Sequence, residues 1–334
     1  MRTLLLLLIV LSSLAAWSQE APKTYAEMLG FPKGKKVVIL HIDDAGMSYD
    51  SNLGTIRALK EGVANSVSVM MPCGWVPGFV HFLKDNKEVD AGLHLTLTSE
   101  WAQYRWGPLA GKPMVRSLVD KEGALWPSVG DVVKNGTADH VEMEIRAQLD
   151  RARTMGFEPT HMDSHMGTLF ATPAFLERYV KVGIEEQIPV MLPAGHNTLI
   201  KVDERLEGDA LNSIRELGKK VWQAGLPVLD DLHNVSYGWI PKDAHKLSKA
   251  KLQKYKADKY SKALKEDIQP GLTMVIMHCT HPTEVFEHIS GSGITREGDL
   301  LAMLDPGLRK TIETEGIILT TWREVMERRK ALKE

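Results

Sequence analysis

Lys36-Val37-Val38-Ile39-Leu40-His41-Ile42-Asp43-Asp44-Ala45-Gly46 is the stretch on which the fold turns. Val37 to Leu40 form a continuous apolar run, as a strand does when both its faces are covered in a parallel sheet. The run breaks at Asp44 and Gly46, and an amphipathic segment predicted as a helix over 51–61 follows. The same unit recurs along the chain. Strands are predicted at 36–43, 66–72, 90–97, 161–165, 189–193, 227–232, 273–278 and 316–322, with helices such as 51–61, 138–155, 173–186 and 209–224 between them. Strand-then-helix alternation means an α/β fold with a parallel sheet. The pattern alone leaves a doubly wound open sheet beside a (β/α) barrel, which 334 residues accommodate.

Composition narrows the function. A net charge of −2 supplies no basic field for nucleic acid. Two cysteines, far apart and without C-x-x-C spacing, make neither a disulfide scaffold nor a zinc knuckle. No glycine-rich phosphate loop follows the first strand, which removes the commonest nucleotide sites. Residues 1–18 read as a secretory signal peptide, with a basic start at Arg2, an apolar run from Leu4 to Leu11 and the exit Ala15-Ala16-Trp17-Ser18. That run is too short to span a bilayer comfortably, and no later stretch is apolar enough. Residues 19–334 are therefore expected as one exported domain, periplasmic or extracellular. The segment 242–265 holds nine lysines and is expected as a surface helix with a solvated basic face.

Chemistry gathers at strand ends. The first strand ends His41-Ile42-Asp43-Asp44, and another carries Gly92-Leu93-His94-Leu95. A third segment reads His161-Met162-Asp163-Ser164-His165, and a late one ends Met277-His278-Cys279-Thr280-His281-Pro282. In parallel α/β folds the C-terminal strand ends share one face, so distant residues converge there. Two adjacent carboxylates such as Asp43 and Asp44 do not both stay ionised without a cation between them. A divalent ion resolves this, with one carboxylate as ligand and the other as base. A strand continuing straight through would point the pair to opposite faces, whereas a turn toward Gly46 lets both reach one cavity.

Three of these segments resemble the YdjC-like carbohydrate deacetylases. Asp43-Asp44-Ala45-Gly46-Met47-Ser48 is similar to that family's D-D-x-G-x-S, Gly92 to Thr98 to its G-x-H-x-x-L-T, and Pro159 to His165 to its P-T-H-x-D-S-H. The resemblance implies a single, distorted TIM-like (β/α) barrel with its active site at the C-terminal strand ends. It implies Asp44, His94 and His165 as ligands of one divalent ion and Asp43 as catalytic base. The general acid falls on His278, with His281 as the alternative because His281-Pro282 carries the family's H-P pair. Gly167 departs from the family, which usually has a second histidine there.

Two imidazoles and a carboxylate leave open coordination positions, as catalytic sites do. Ligand type favours Zn²⁺, while the family points to Mg²⁺. Metal-activated water, an Asp base and a His acid would together release acetate from an N-acetylated mono- or oligosaccharide. His161 and Asp163 are candidates for orienting the ligands, and Trp75 and Trp101 for stacking on sugar rings; Trp106 and Trp239 lie in similar loops. The rival readings are an O-acetyl esterase, a phosphoester hydrolase, or an inactive carbohydrate-binding protein. Cys73 and Cys279 both follow strand ends, at a separation that sequence does not supply.

Overall fold

The computed structural model describes residues 22–205 and 207–332, so the expected signal segment 1–18 lies outside the described residues. Seven strands run through it: β1 (Lys36–Ala45), β2 (Ser66–Val69), β3 (Ala91–Leu95), β4 (Met162–Ser164), β5 (Asp231–His233), β6 (Gly271–Met277) and β7 (Ile318–Leu319). The longer helices are α1 (Tyr49–Glu61), α2 (Val76–Asp85), α3 (Ala138–Thr154), α4 (Pro173–Glu186), α5 (Gly208–Gln223), α6 (Lys249–Lys262), α7 (Gly293–Met303), α8 (Pro306–Thr314) and α9 (Trp322–Ala331). Every strand pair is parallel, in the order β4-β3-β2-β1-β6-β5, with β7 beside the first half of β1.

The circuit closes unevenly. Between β4 and β5 the expected strand at 189–193 is reduced to single bridges, Met162 to Val190 and Pro193 to Leu229. Pro189 and Pro193 have no N–H to donate, so a full ladder cannot form there. What remains is Met162 N to Pro189 O at 2.8 Å, Met191 N to Met162 O at 2.8 Å and Ala194 N to Leu229 O at 3.0 Å. The result is a distorted parallel barrel.

Strand parity sorts the side chains into two layers. Val38, Leu40 and Ile42 of β1, with Val275 and Met277 of β6, pack outward against the helices. Val37, Ile39, Leu232, Leu272, Met274 and Ile276 form a separate inward cluster, which Trp322 of α9 joins. Asp90 caps α9 by accepting from Trp322 N at 3.1 Å and Arg323 N at 3.0 Å. Asp230 and Asp231 are similarly occupied with backbone. Asp230 accepts from Tyr25, Ala26 and Leu272, and Asp231 from Leu199 and Ile200.

The lysine-rich segment forms α6, mostly solvated as expected, with one exception. Lys256 is fully buried and pairs with Asp299 of α7 at 2.9 Å. Gly298 makes this possible, since a Cβ there would sit 2.8 Å from Lys256 Cγ. Cys73 and Cys279 are separate buried thiols.

Candidate metal centre and active site

β1 does not run straight through its two aspartates. Its pairing with β2 is interrupted by a bulge between Ile42 and Ala45, where Asp44 takes φ +67° and Gly46 φ +82°. The left-handed region is uncommon for a residue with a side chain and costs on the order of 1 kcal/mol. Its effect is to swing Asp44 onto the same side as Asp43, so both carboxylates enter one cavity. Glycine is needed two residues on, because a Cβ at Gly46 would lie 2.6 Å from Val76 Cγ2. Ser48, and not Asp44, caps α1, accepting from Ser51 N at 3.0 Å.

Three ligand atoms converge. Asp44 Oδ1 lies 3.2 Å from His94 Nε2 and 3.2 Å from His165 Nδ1, and these two nitrogens are 3.1 Å apart. Their outer nitrogens meet carboxylates: His94 Nδ1 lies 2.7 Å from Asp163 Oδ1, and His165 Nε2 lies 2.9 Å from Glu100 Oε1. An ionised carboxylate only accepts, so the outer nitrogen of each ring carries the proton. Each inner nitrogen then presents its lone pair to the point that Asp44 Oδ1 faces. Asp44 Oδ1 is buried and accepts no hydrogen bond. Ligand atoms held about 2.0–2.2 Å from one ion are roughly 3.0–3.5 Å apart, which matches this trio. The residues present therefore fit a divalent cation.

The local charge agrees. Asp43, Asp44, Glu100 and Asp163 are all buried or nearly so, and Arg296 meets one of them, its Nη1 lying 2.7 Å from Asp44 Oδ2. Burial opposes charge on Asp44, but Arg296 and the two imidazoles outweigh it and hold the carboxyl well below its ordinary range. Burial likewise opposes a proton on His165, yet Glu100 and Asp44 raise it to about 9. A cage this anionic draws in positive charge, which a divalent ion supplies more compactly than protons do.

Asp43 sits beside this trio. His41, fully buried, places its Nε2 3.2 Å from Asp43 Oδ1 and 2.9 Å from Asp163 Oδ2, with Nδ1 2.9 Å from Ser66 Oγ. Burial disfavours its proton, but the two carboxylates raise it to about 9, so a cation braces Asp43 from below. On the open side His278 Nε2 is 3.9 Å from Asp43 Oδ2 and 4.0 Å from Asp44 Oδ2. Burial, followed by Arg296, lowers the His278 pKa. Its backbone is pinned by Asp299, which accepts from His278 N at 3.1 Å and pairs with Lys256. Among the described residues, His278 rather than His281 brings an imidazole within 4.0 Å of both aspartates; His281 lies beyond, its N–H on Asp50 O.

The weaker candidates divide. Asp163 bridges His94 and His41, an orienting position. His161 lies one layer deeper, stacked on Trp322 with centroids 5.2 Å apart, and burial lowers it to about 4. Trp75 is half exposed, whereas Trp101 packs on Trp106, and Trp239 packs on His233 and Tyr260. Sequence reading missed Glu100, Arg296, Asp299 and the bracing role of His41. His41 had a signal, its i, i+2 parity with Asp43. Glu100 lies two residues past the Gly92–Thr98 motif, and Arg296 sits in a helix with no motif at all.

The model of the YdjC-like protein family matches residues 37–314. The chain belongs to the YdjC-like family. A carbohydrate deacetylase of Thermus thermophilus is 29% identical over 298 residues, covering 88% of this chain and 95% of that protein. A chitooligosaccharide deacetylase of Yersinia enterocolitica is 29% identical over 136 residues, 39% of this chain and 49% of that protein. A solved structure from Enterococcus faecalis V583, named for cellobiose-phosphate cleavage, superposes with TM-score 0.67 at 20% identity over 87% of this chain and 99% of that one. It shares the fold. In this YdjC-like chain Gly167, two residues past His165, has φ +63° and no atom within 4 Å of an added Cβ.

Proposed function

We propose that this YdjC-like protein is a metal-dependent carbohydrate deacetylase that hydrolyses an N-acetyl group on a saccharide. The observation carrying this reading is the convergence of Asp44 Oδ1, His94 Nε2 and His165 Nδ1 within 3.2 Å, with Asp43 adjacent and uncommitted to the ligand point. Bound there, a divalent ion supplies Lewis acidity, making a water more acidic and polarising an acetamide carbonyl. Arg296 neutralises the outer oxygen of Asp44 and so keeps that carboxylate a ligand, leaving the proton-accepting role to Asp43. Asp43 Oδ2 takes the proton of the attacking water, and His41 holds the carboxylate in place. His278, at the mouth and pinned through Asp299, has its Nε2 3.9 Å from Asp43 Oδ2 and passes a proton taken up there to the departing amine, a poor leaving group otherwise. Arg296 is committed to Asp44, which speaks against the phosphoester alternative. The pattern of residues 1–18 supports export as the setting.

Acetate release from a panel of N- and O-acetylated saccharides, with and without chelator, tests the proposal. Chelator-sensitive release from N-acetylated sugars is expected. Release confined to O-acetyl esters would move the activity to an esterase, and release indifferent to chelator would remove the metal.

A further inference from the structure

Two aromatic rings stand exposed together on the barrel face that carries the site. Tyr49 is 51% and Trp75 48% exposed, with ring centroids 5.2 Å apart and planes tilted by 54°. On the same face Tyr104 and Trp101 pack against Trp106, while Tyr237, 39% exposed, lies edge-on to the His278 ring at 5.0 Å. Aromatic side chains bury some 150–250 Å² each when packed, so leaving two half bare side by side forgoes stabilisation and marks a contact surface.

Their placement is tied to the catalytic pair. Tyr49 is the first residue of α1, five positions past Asp44, and Trp75 immediately precedes α2, just after β2. Asn52, buried, links the two elements: its Oδ1 accepts from Gly46 N at 2.7 Å and its Nδ2 donates to Trp75 O at 2.9 Å. The turn that presents Asp43 and Asp44 is thus joined to the backbone of Trp75 through one side chain. Tyr49 and Trp75 follow the C-terminal ends of β1 and β2, the end of the barrel that carries the site, which puts the exposed pair on its rim.

We propose that Tyr49 and Trp75 form a stacking subsite for a second pyranose ring, adjacent to the one that loses its acetyl group. This rests on the carbohydrate deacetylase reading and makes the preferred substrate an oligosaccharide. A pyranose presents a face of C–H groups with hydroxyls around its edge, which suits an apolar ring face at a wet rim. Asn52 fixes the backbone that carries Trp75, so little backbone order is lost on binding. The pair positions substrate and takes no part in proton transfer.

The test uses the full, metal-loaded protein with N-acetylglucosamine and its β-1,4-linked oligomers of two to four units. Trp75→Ala keeps the backbone carbonyl that Asn52 uses, and Tyr49→Phe keeps the ring beside Tyr49→Ala. The ratio of kcat/KM between disaccharide and monosaccharide is expected to fall about tenfold in Trp75→Ala, mostly through KM, and to be largely restored in Tyr49→Phe relative to Tyr49→Ala. An unchanged ratio overturns the subsite even if the enzyme remains a deacetylase. Titrating intrinsic fluorescence with N,N′-diacetylchitobiose gives a readout free of turnover. Saturable change in wild type that weakens about tenfold in Trp75→Ala supports the platform. No saturable change in wild type, or equal affinity in the variant, overturns it whatever the reaction proves to be.

Discussion

Along the β5, β6 and early β1 wall, the inward positions are Val37, Ile39, Leu232, Leu272, Met274 and Ile276. Across the same interior, late β1, β2, β3 and β4 present His41, Asp43, Ser66, Ser68, His94, His161 and Asp163. The first wall gains stability simply by leaving water, about 1.5–3 kcal/mol for each large side chain. The second is equally dry and would be destabilising group by group, because a buried polar atom without a partner costs about 1–3 kcal/mol. It survives through reciprocal pairing: His41 between Asp43 and Asp163, His94 on Asp163, His165 on Glu100, Asp44 on Arg296. One wall supplies the stability that lets the other hold charges in fixed positions.

The sharpest way to break that contrast is at the paired aspartates. Asp44→Asn should release the metal and lower acetate release by on the order of 10³-fold, whereas Asp43→Asn should retain the metal while turnover falls about 10²-fold or more. Metal analysis beside kinetics checks this, and a reversal of the two phenotypes exchanges their roles.

The polar wall should also make stability pH-dependent where the apolar wall cannot. His161, lowered to about 4, favours the neutral ring in the fold, so its contribution is full above about pH 6.5 and is lost as pH falls toward 4. His41, raised to about 9, works in the opposite sense, contributing fully below pH 6.5 and losing that contribution as pH rises through 9. Each limb amounts to about 3 kcal/mol. Denaturant midpoints across pH for wild type and His161→Asn should show the acid limb flattened in the variant; an unaltered limb would assign it to another group.

At the open end of the same wall, His278→Ala should reduce kcat on acetamides by about 10²-fold but spare an activated aryl ester, whose leaving group needs little protonation. Equal losses on both substrates would give His278 a structural role, and a larger loss in His281→Ala would transfer the acid there. The smallest effect belongs to the apolar wall. Ile39→Val should cost about 0.5–1.5 kcal/mol in unfolding free energy and leave kcat of the folded enzyme unaltered. A change in kcat would mean that the two walls are coupled more tightly than their separate clusters suggest.

Legibility followed the range of the interaction. β1, β6, α1 and α4 were readable because apolar runs and helical spacing are local, and their observed ends fall within a few residues of the expected ones. The segment 189–193 has the composition of a strand, but its two prolines withhold the donors a ladder needs. The lysines of α6 look alike in sequence, yet Lys256 turns inward because Gly298 and Asp299, some forty residues away, make space and supply the counter-charge.

The chain alone therefore determined that this is a parallel α/β protein whose strand ends carry an Asp-Asp pair and histidines of the types that can hold a metal ion, since side-chain type and spacing are properties of the chain. Tertiary structure decided that a bulge at Asp44 turns both aspartates into one cavity, and that His278 rather than His281 reaches them. It also brought Glu100 against His165 and Arg296 against Asp44. Those outcomes depend on distances of a few ångströms between segments up to some 250 residues apart, which are set when helices pack on the barrel and leave no trace in local pattern.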